Sequence, residues 1–183
     1  MNDFGLTPIN HYTTYTYPYR TSTEFDNMMM SSDGEVLTGL WFDNSADLDK
    51  KAAECECQEK DLPIFREATR WLDIYFNGEQ PDWTPAYRID NLTPFRKEVI
   101  DIMLGVPFGK TMTYGEIAAR IAGSHGIRRM SAQAVGGAVG WNPLCIIVPC
   151  HRIVGSNQKL TGYGGGIKNK IALLKNEGLD IKD

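Results

Sequence analysis

Residues 131–140, SAQAVGGAVG, place a severe constraint on whatever fold contains them. Ser131 can cap a helix. The residues after it include Ala132, Ala134, Gly136, Gly137 and Ala138, where a core helix would carry leucine or isoleucine. Two adjacent glycines cost about 1 kcal/mol each relative to alanine in a helix interior. That cost is explained if something must approach the backbone closely, either a groove of DNA or a neighbouring helix. Just upstream, TYGEIAARIA (113–122) begins with Thr113 and Glu116 at capping-box spacing. Two short capped helices joined by GSHGIRR read as a helix-turn-helix or as a plain helical hairpin. The Arg128–Arg129 pair ahead of the second helix suits phosphates.

The other elements are read from pattern. HYTTYTYPY (11–19) is aromatic and β-branched and reads as a strand. SSDGEVLTGLWFD (31–43) reads as a turn at Asp33-Gly34 feeding a second strand through Leu37, Leu40 and Trp41. Residues 44–61 are polar and charged, a loop or an exposed helix. Phe65, Ala68, Leu72 and Phe76 fall at helical spacing, and that helix stops at Gly78. EQPDWTP (79–85) has linker composition. Thr93 and Pro94 open another helix, whose buried face is Phe95, Val99, Ile102 and Met103.

Charge divides the chain at the same place. Residues 1–91 hold 7 Lys+Arg against 17 Asp+Glu, and residues 92–183 hold 12 against 6. The expected fold class is therefore α+β. A small acidic N-terminal antiparallel-sheet and helix domain (1–91) precedes a basic, mostly helical C-terminal domain (92–183) with the helix-turn-helix. Only the basic half suits a polyanion, although its charge also fits a merely soluble basic domain. No apolar run approaches the roughly 20 residues that span a bilayer, and the first residues lack a signal-peptide core. The expectation is a cytoplasmic protein with no membrane partner. Four cysteines, Cys55, Cys57, Cys145 and Cys150, are too few and too oddly spaced for a disulfide scaffold. Cys55 and Cys57 read as surface thiols, and no metal site is expected.

IVPCHRIVG (147–155) carries the chemistry. CIIV (145–148) reads as a buried strand ended by Pro149, with Cys150 emerging where it stops. In extended chain His151 points to the opposite face, so it would reach the Cys150 sulfur only across a sharp turn or through water. Free cysteine is only a few per cent thiolate at neutral pH. A nucleophilic Cys150 therefore needs a base or a helix N-terminus nearby.

PCHRIVGSNQKLTGYGGG, with TYGEIA, AVGGAVGWNP and KNKIALLKNEG, resembles the methylated-DNA–protein-cysteine methyltransferase (O6-alkylguanine-DNA alkyltransferase) family from about Pro94 to Gly178. The acidic half is only loosely similar, and TEFDNMMM (23–30) departs from the strand usual there. The resemblance implies stoichiometric, self-inactivating transfer of an alkyl group from O6-alkylguanine, or O4-alkylthymine, to Cys150, after minor-groove binding and base flipping. His151 would act through water as the base for Cys150, Glu177 would orient His151, and Tyr114 would protonate the departing guanine. Asn142 would brace the turn before the active site. Tyr163, Gly164 and Gly165 would wall the base pocket, with Val148 and Ile153 as further substrate positions and Lys170 supporting Tyr114. Thr113, Arg128, Arg129, Ser131, Gln133, Ala134, Gly136, Gly137 and Arg152 would meet DNA. Gln133 stands where much of the family has an arginine that fills the vacated base stack, and Gly164 where a serine is common. The implied partner is double-stranded DNA containing O6-alkylguanine, bound by a monomer with no cofactor and no metal. Two other classes differ in what they need. Alkyltransferase-like binding proteins lack the acceptor cysteine that this chain has, and a cysteine hydrolase or thiol redox enzyme would want an oxyanion hole or a second active thiol.

Overall fold

A computed structural model describes residues 13–22, 24–45, 48 and 57–181. The aromatic run forms strand β1, Thr14–Tyr19. The turn at Gly34 leads into β3, Leu37–Phe42. Between them lies β2, Met28–Ser32, inside the stretch that gave no strand signal. Methionine is not a strand former by propensity. Here the burial of Met28 and Met30, both fully enclosed, decides the matter. A fourth strand, β4 (Cys57–Glu59), lies in the segment expected to be loop or helix. Sheet order is β3-β2-β1-β4. β1 and β3 run antiparallel to β2, but β4 runs parallel to β1, so the sheet is not wholly antiparallel. Cys57 is disulfide-bonded rather than the surface thiol expected of it, and Cys55 lies outside the described residues. Lys60 N–H donates to Thr16 O, so Thr16 and, two residues on, Pro18 face the β4 side of β1. β4 ends level with Thr16, which spares Pro18 a ladder bond it could not make.

Helix α1, Pro63–Phe76, packs on the sheet. Phe65, Ala68 and Leu72 are buried, and Tyr17 stacks on Phe65 at 5.8 Å between ring centroids. The helix ends at Gly78, whose φ of +82° suits a left-handed terminus. In the basic half, α2 (Pro94–Leu104) starts at Thr93, which accepts from Arg96 N–H. Its enclosed residues are Val99, Ile100 and Met103, with Phe95 and Ile102 only partly covered. The short strand β5 (Met112–Thr113) pairs in parallel with β6 (Ile153–Val154). Helix α3 (Tyr114–Ser124) carries the full Thr113–Glu116 capping box, and α4 (Ala132–Gly140) is capped by Ser131. These two helices form the helix-turn-helix, and α5 (Ile167–Asn176) closes the fold. One continuous apolar core holds residues of both halves, including Leu40, Phe65, Val99, Val148 and Leu173. Among the described residues no helix is long and apolar enough to cross a membrane.

Candidate active site

The segment 142–150 is a tight turn, not the strand its β-branched run suggests. Val148 N–H bonds to Leu144 O, Ile147 N–H to Cys145 O, and Ile146 takes a φ of +70°. A β-branched residue there is strained. The buried Asn142 side chain overrides propensity. Its amide donates to Leu144 O (3.3 Å) and Val148 O (2.9 Å) and accepts from Leu144 N–H (3.0 Å). The same Nδ2 reaches the Cys150 sulfur at 3.0 Å. One side chain thus closes the turn and addresses the thiol.

Cys150 opens a single 3₁₀ turn, Cys150–Arg152, and its side chain is 5% exposed on the floor of a narrow cleft of about 40 Å³. Tyr114, Asn142, Tyr163, Gly164 and Gly165 line that cleft, and so does Gly136, which was expected to meet DNA. Six lining residues were not anticipated: Val139, Gly140, Cys145 and Gly162, and from the acidic half Trp41 and Ser45. Gly165 is required by contact, since a Cβ there would lie 2.6 Å from Phe42 and 2.7 Å from the Tyr163 ring. The Tyr163 hydroxyl is buried without an ordinary hydrogen-bond partner among the described residues, and it faces both cysteine sulfurs.

These neighbours set the thiol's ionisation. The hydrogen bond from Cys145 pulls Cys150 down to about 7, with help from Asn142, Tyr163 and the Lys170 charge, against a burial that pushes it up. Lys170 does not line the cleft. Its Nζ donates to Ile153 O at 2.6 Å and Thr161 O at 3.2 Å. Burial pulls this ammonium down to about 8, so it is still mostly charged at neutral pH. Burial raises Tyr114, which therefore holds a proton at neutral pH.

Behind the cleft sits a second, fully enclosed cluster. His151 is not part of the cleft lining, and its Nε2 lies 2.7 Å from Glu177 Oε1. Because a carboxylate only accepts, Nε2 carries the proton. Nδ1 is then the basic nitrogen, buried and without a hydrogen-bond partner among the described residues. Burial keeps His151 neutral. Burial would push Glu177 up, but His151 and Arg152 outweigh it and hold the carboxyl at about 2. The neutral His151 acts through its Nε2–H hydrogen bond, and Arg152 adds a permanent charge.

Three assignments are corrected. Arg152 is not on a DNA-facing surface: it is 8% exposed and grips Glu177 through Nε and Nη2, with Nη1 on Val106 O at 2.7 Å. Val148 and Ile153 are core residues outside the cleft lining. Strand alternation cannot foresee this, because the chain coils at 150–152. Thr113 and Ser131 use their hydroxyls as helix caps. Arg128, Arg129, Gln133, Ala134 and Gly137 lie exposed together around the start of α4, while Gly136 turns towards Tyr114. Among the described residues no group of His, Cys, Asp and Glu is placed to hold a metal ion.

A family profile described as 6-O-methylguanine DNA methyltransferase, DNA binding domain, matches residues 94–179. The methylated-DNA–protein-cysteine methyltransferase of Haemophilus influenzae is 34% identical over 94% of this chain and 89% of its own length. The chain belongs to the methylated-DNA–protein-cysteine methyltransferase family. The Methanosarcina acetivorans methyltransferase is 39% identical over 82% of this chain and 91% of its own. Among solved structures, Mycobacterium tuberculosis OGT in complex with DNA superposes with a TM-score of 0.73 at 34% identity, covering 90% of this chain and 92% of that one. The protein is thus a DNA-binding methyltransferase of DNA repair that uses a cysteine as acceptor.

Proposed function

We propose that the methyltransferase removes alkyl groups from O6-alkylguanine, and from O4-alkylthymine, in double-stranded DNA, with Cys150 as acceptor. One observation carries this reading: the Cys150 thiol lies on the cleft floor with Asn142 on its sulfur and the His151–Glu177 pair behind it. His151 Nδ1, acting through water, takes the proton from any Cys150 still present as thiol. The thiolate attacks the alkyl carbon, an S–C bond forms and the carbon–oxygen bond to the base breaks. Tyr114 donates its proton to the leaving base. Atoms balance with no cofactor, and since a thioether is a poor leaving group each monomer acts once.

A target on a base edge within a duplex is out of reach, so the nucleotide must be flipped at a cost of a few kcal/mol. The exposed small residues of α4 let the helix lie in the minor groove, while phosphate contacts by Arg128 and Arg129 supply sequence-independent affinity. The cleft of about 40 Å³ has room for only a few waters, so it must widen to admit a base. Residues 1–91 and 92–183 form the two modules, and the second carries DNA binding and transfer.

The test is intact mass and peptide mapping after incubation with an O6-methylguanine duplex. One methyl on Cys150, gained irreversibly, is expected. A methyl on Cys145 or Cys57, or repeated turnover, would overturn the reading. Cys150→Ser should abolish transfer and leave DNA affinity unchanged.

A further inference from the structure

Helix α1 of the acidic half sends one polar group into the enclosed cluster. Tyr75 is 1% exposed, and its hydroxyl lies 2.7 Å from Glu177 Oε1 and 3.2 Å from His151 Nε2. Its ring is already well packed, stacked on Trp71 at 5.7 Å and edge-on to Phe108 at 6.0 Å. Phenylalanine would fill that space without a polar atom. A buried hydroxyl is tolerated only where it is satisfied, so this one is explained by its two partners.

We propose that Tyr75 is a positioning residue for alkyl transfer, holding Glu177 against His151 and setting the orientation and basicity of the ring from the acidic half of the chain. This rests on Cys150 being the acceptor. A carboxylate accepts and cannot donate, so the Tyr75 proton goes to Glu177. The phenol oxygen then presents a lone pair to Nε2. Nε2 consequently faces two acceptors and must keep its proton, which leaves Nδ1 as the base. In the other tautomer an Nε2 lone pair would lie against carboxylate oxygen. Arg152 cannot do this, because a guanidinium only donates and competes for the same carboxylate. Asn176 holds Tyr75 in place by donating to its backbone carbonyl at 2.7 Å, and Gly109 N–H holds the other Glu177 oxygen at 3.0 Å.

The charged and titratable groups facing His151 are Tyr75 from α1, Cys150 and Arg152 from its own turn, and Lys170 and Glu177 from α5 and its C-terminal cap. Removing the Tyr75 donor leaves more negative charge on Glu177 towards the ring and favours the imidazolium. The base is then lost at a higher pH.

The experiment compares wild type with Tyr75→Phe in the full chain. Single-turnover methyl transfer from an O6-methylguanine duplex is followed across pH, and ¹⁵N NMR reports the His151 ring, assigned with His151→Gln. The Tyr75→Phe rate should fall roughly tenfold at neutral pH, part of the ~10²–10⁴ that general-base assistance provides. Its low-pH limb should move upward, and the pH at which the His151 ¹⁵N shifts report the imidazolium should rise with it. DNA affinity should not change. An unchanged rate, or an equal fall at every pH with unaltered ¹⁵N shifts, would show that Tyr75 only packs and would overturn the inference. Wild type that gains no methyl on Cys150 would instead overturn the functional reading, and the NMR comparison would still decide the role of Tyr75.

Discussion

Burial alone should make a thiol harder to ionise, yet Cys150 sits at about 7. The difference comes from donors aimed at the sulfur, and each is a separate handle. Asn142→Ala removes the 3.0 Å donor to Cys150 and leaves Val148 O without it. The thiol should then titrate higher, and the rise of single-turnover rate with pH should move up from near 7. An unshifted profile would mean that the amide only shapes the turn. Glu177 tests the other cluster. Its carboxyl falls from an ordinary 4.5 to about 2 in the fold, so it contributes stability that is present above 4.5 and lost as pH drops towards 2. Glu177→Gln should flatten that part of the stability–pH curve in acid unfolding monitored by fluorescence. It should also slow transfer, because the amide binds Arg152 and His151 more weakly.

At the scale of elements, α4 carries a glutamine where the family resemblance leads to an expectation of arginine. Gln133 is exposed near the start of the helix, next to Ala134 and Gly137. A neutral amide can pair with a base edge but fills a vacated stack less well than a planar cation. Gln133→Arg should therefore raise duplex affinity and the single-turnover rate on duplex DNA, with little effect on single strands. An unchanged or lower duplex rate would show that Gln133 does not enter the stack. The helices were legible because their signals are local: Thr93, Thr113, Ser131 and Gly78 act within a few residues of themselves. The 142–150 turn was not, since the closing amide of Asn142 beats a run of Ile and Val that reads as strand. β2 was missed for a related reason, because Met28 and Met30 become strand residues only through the core above them. Cys150, Asn142, Tyr114 and Tyr163, which line one cleft, were singled out by motifs that resemble a known family. Trp41, Ser45 and Tyr75 reach the site across the fold, and no spacing in the sequence announces that.

Those long-range arrivals make the two halves one mechanical object. β3 bonds along its outer edge, the one not paired with β2, to the basic half and its approach: Leu40 N–H to Pro143 O, Cys145 N–H to Leu40 O, Leu37 N–H to Ala86 O and Arg88 N–H to Leu37 O. The backbone beside the active thiol is thus an extension of the acidic half's sheet. A second tie runs through the fully buried Asn169, whose Oδ1 accepts from Asp26 N–H at 3.0 Å. Its Nδ2 donates to Asp26 Oδ2 at 2.9 Å and to Gly165 O in the cleft loop at 2.7 Å. Asn169→Ala cuts all three and leaves a buried carbonyl unpaired, a loss of about 1–3 kcal/mol. In a chain of this size each kcal/mol lowers the melting temperature by roughly 2–4 °C. Because the core is continuous, the variant should still unfold in a single transition, with tryptophan fluorescence and far-UV circular dichroism moving together. Methyl transfer should slow as well, since the 162–166 loop loses its anchor to the acidic half. Two separated transitions, with only one displaced by the substitution, would show that the halves are independent and that Asn169 serves its own half alone.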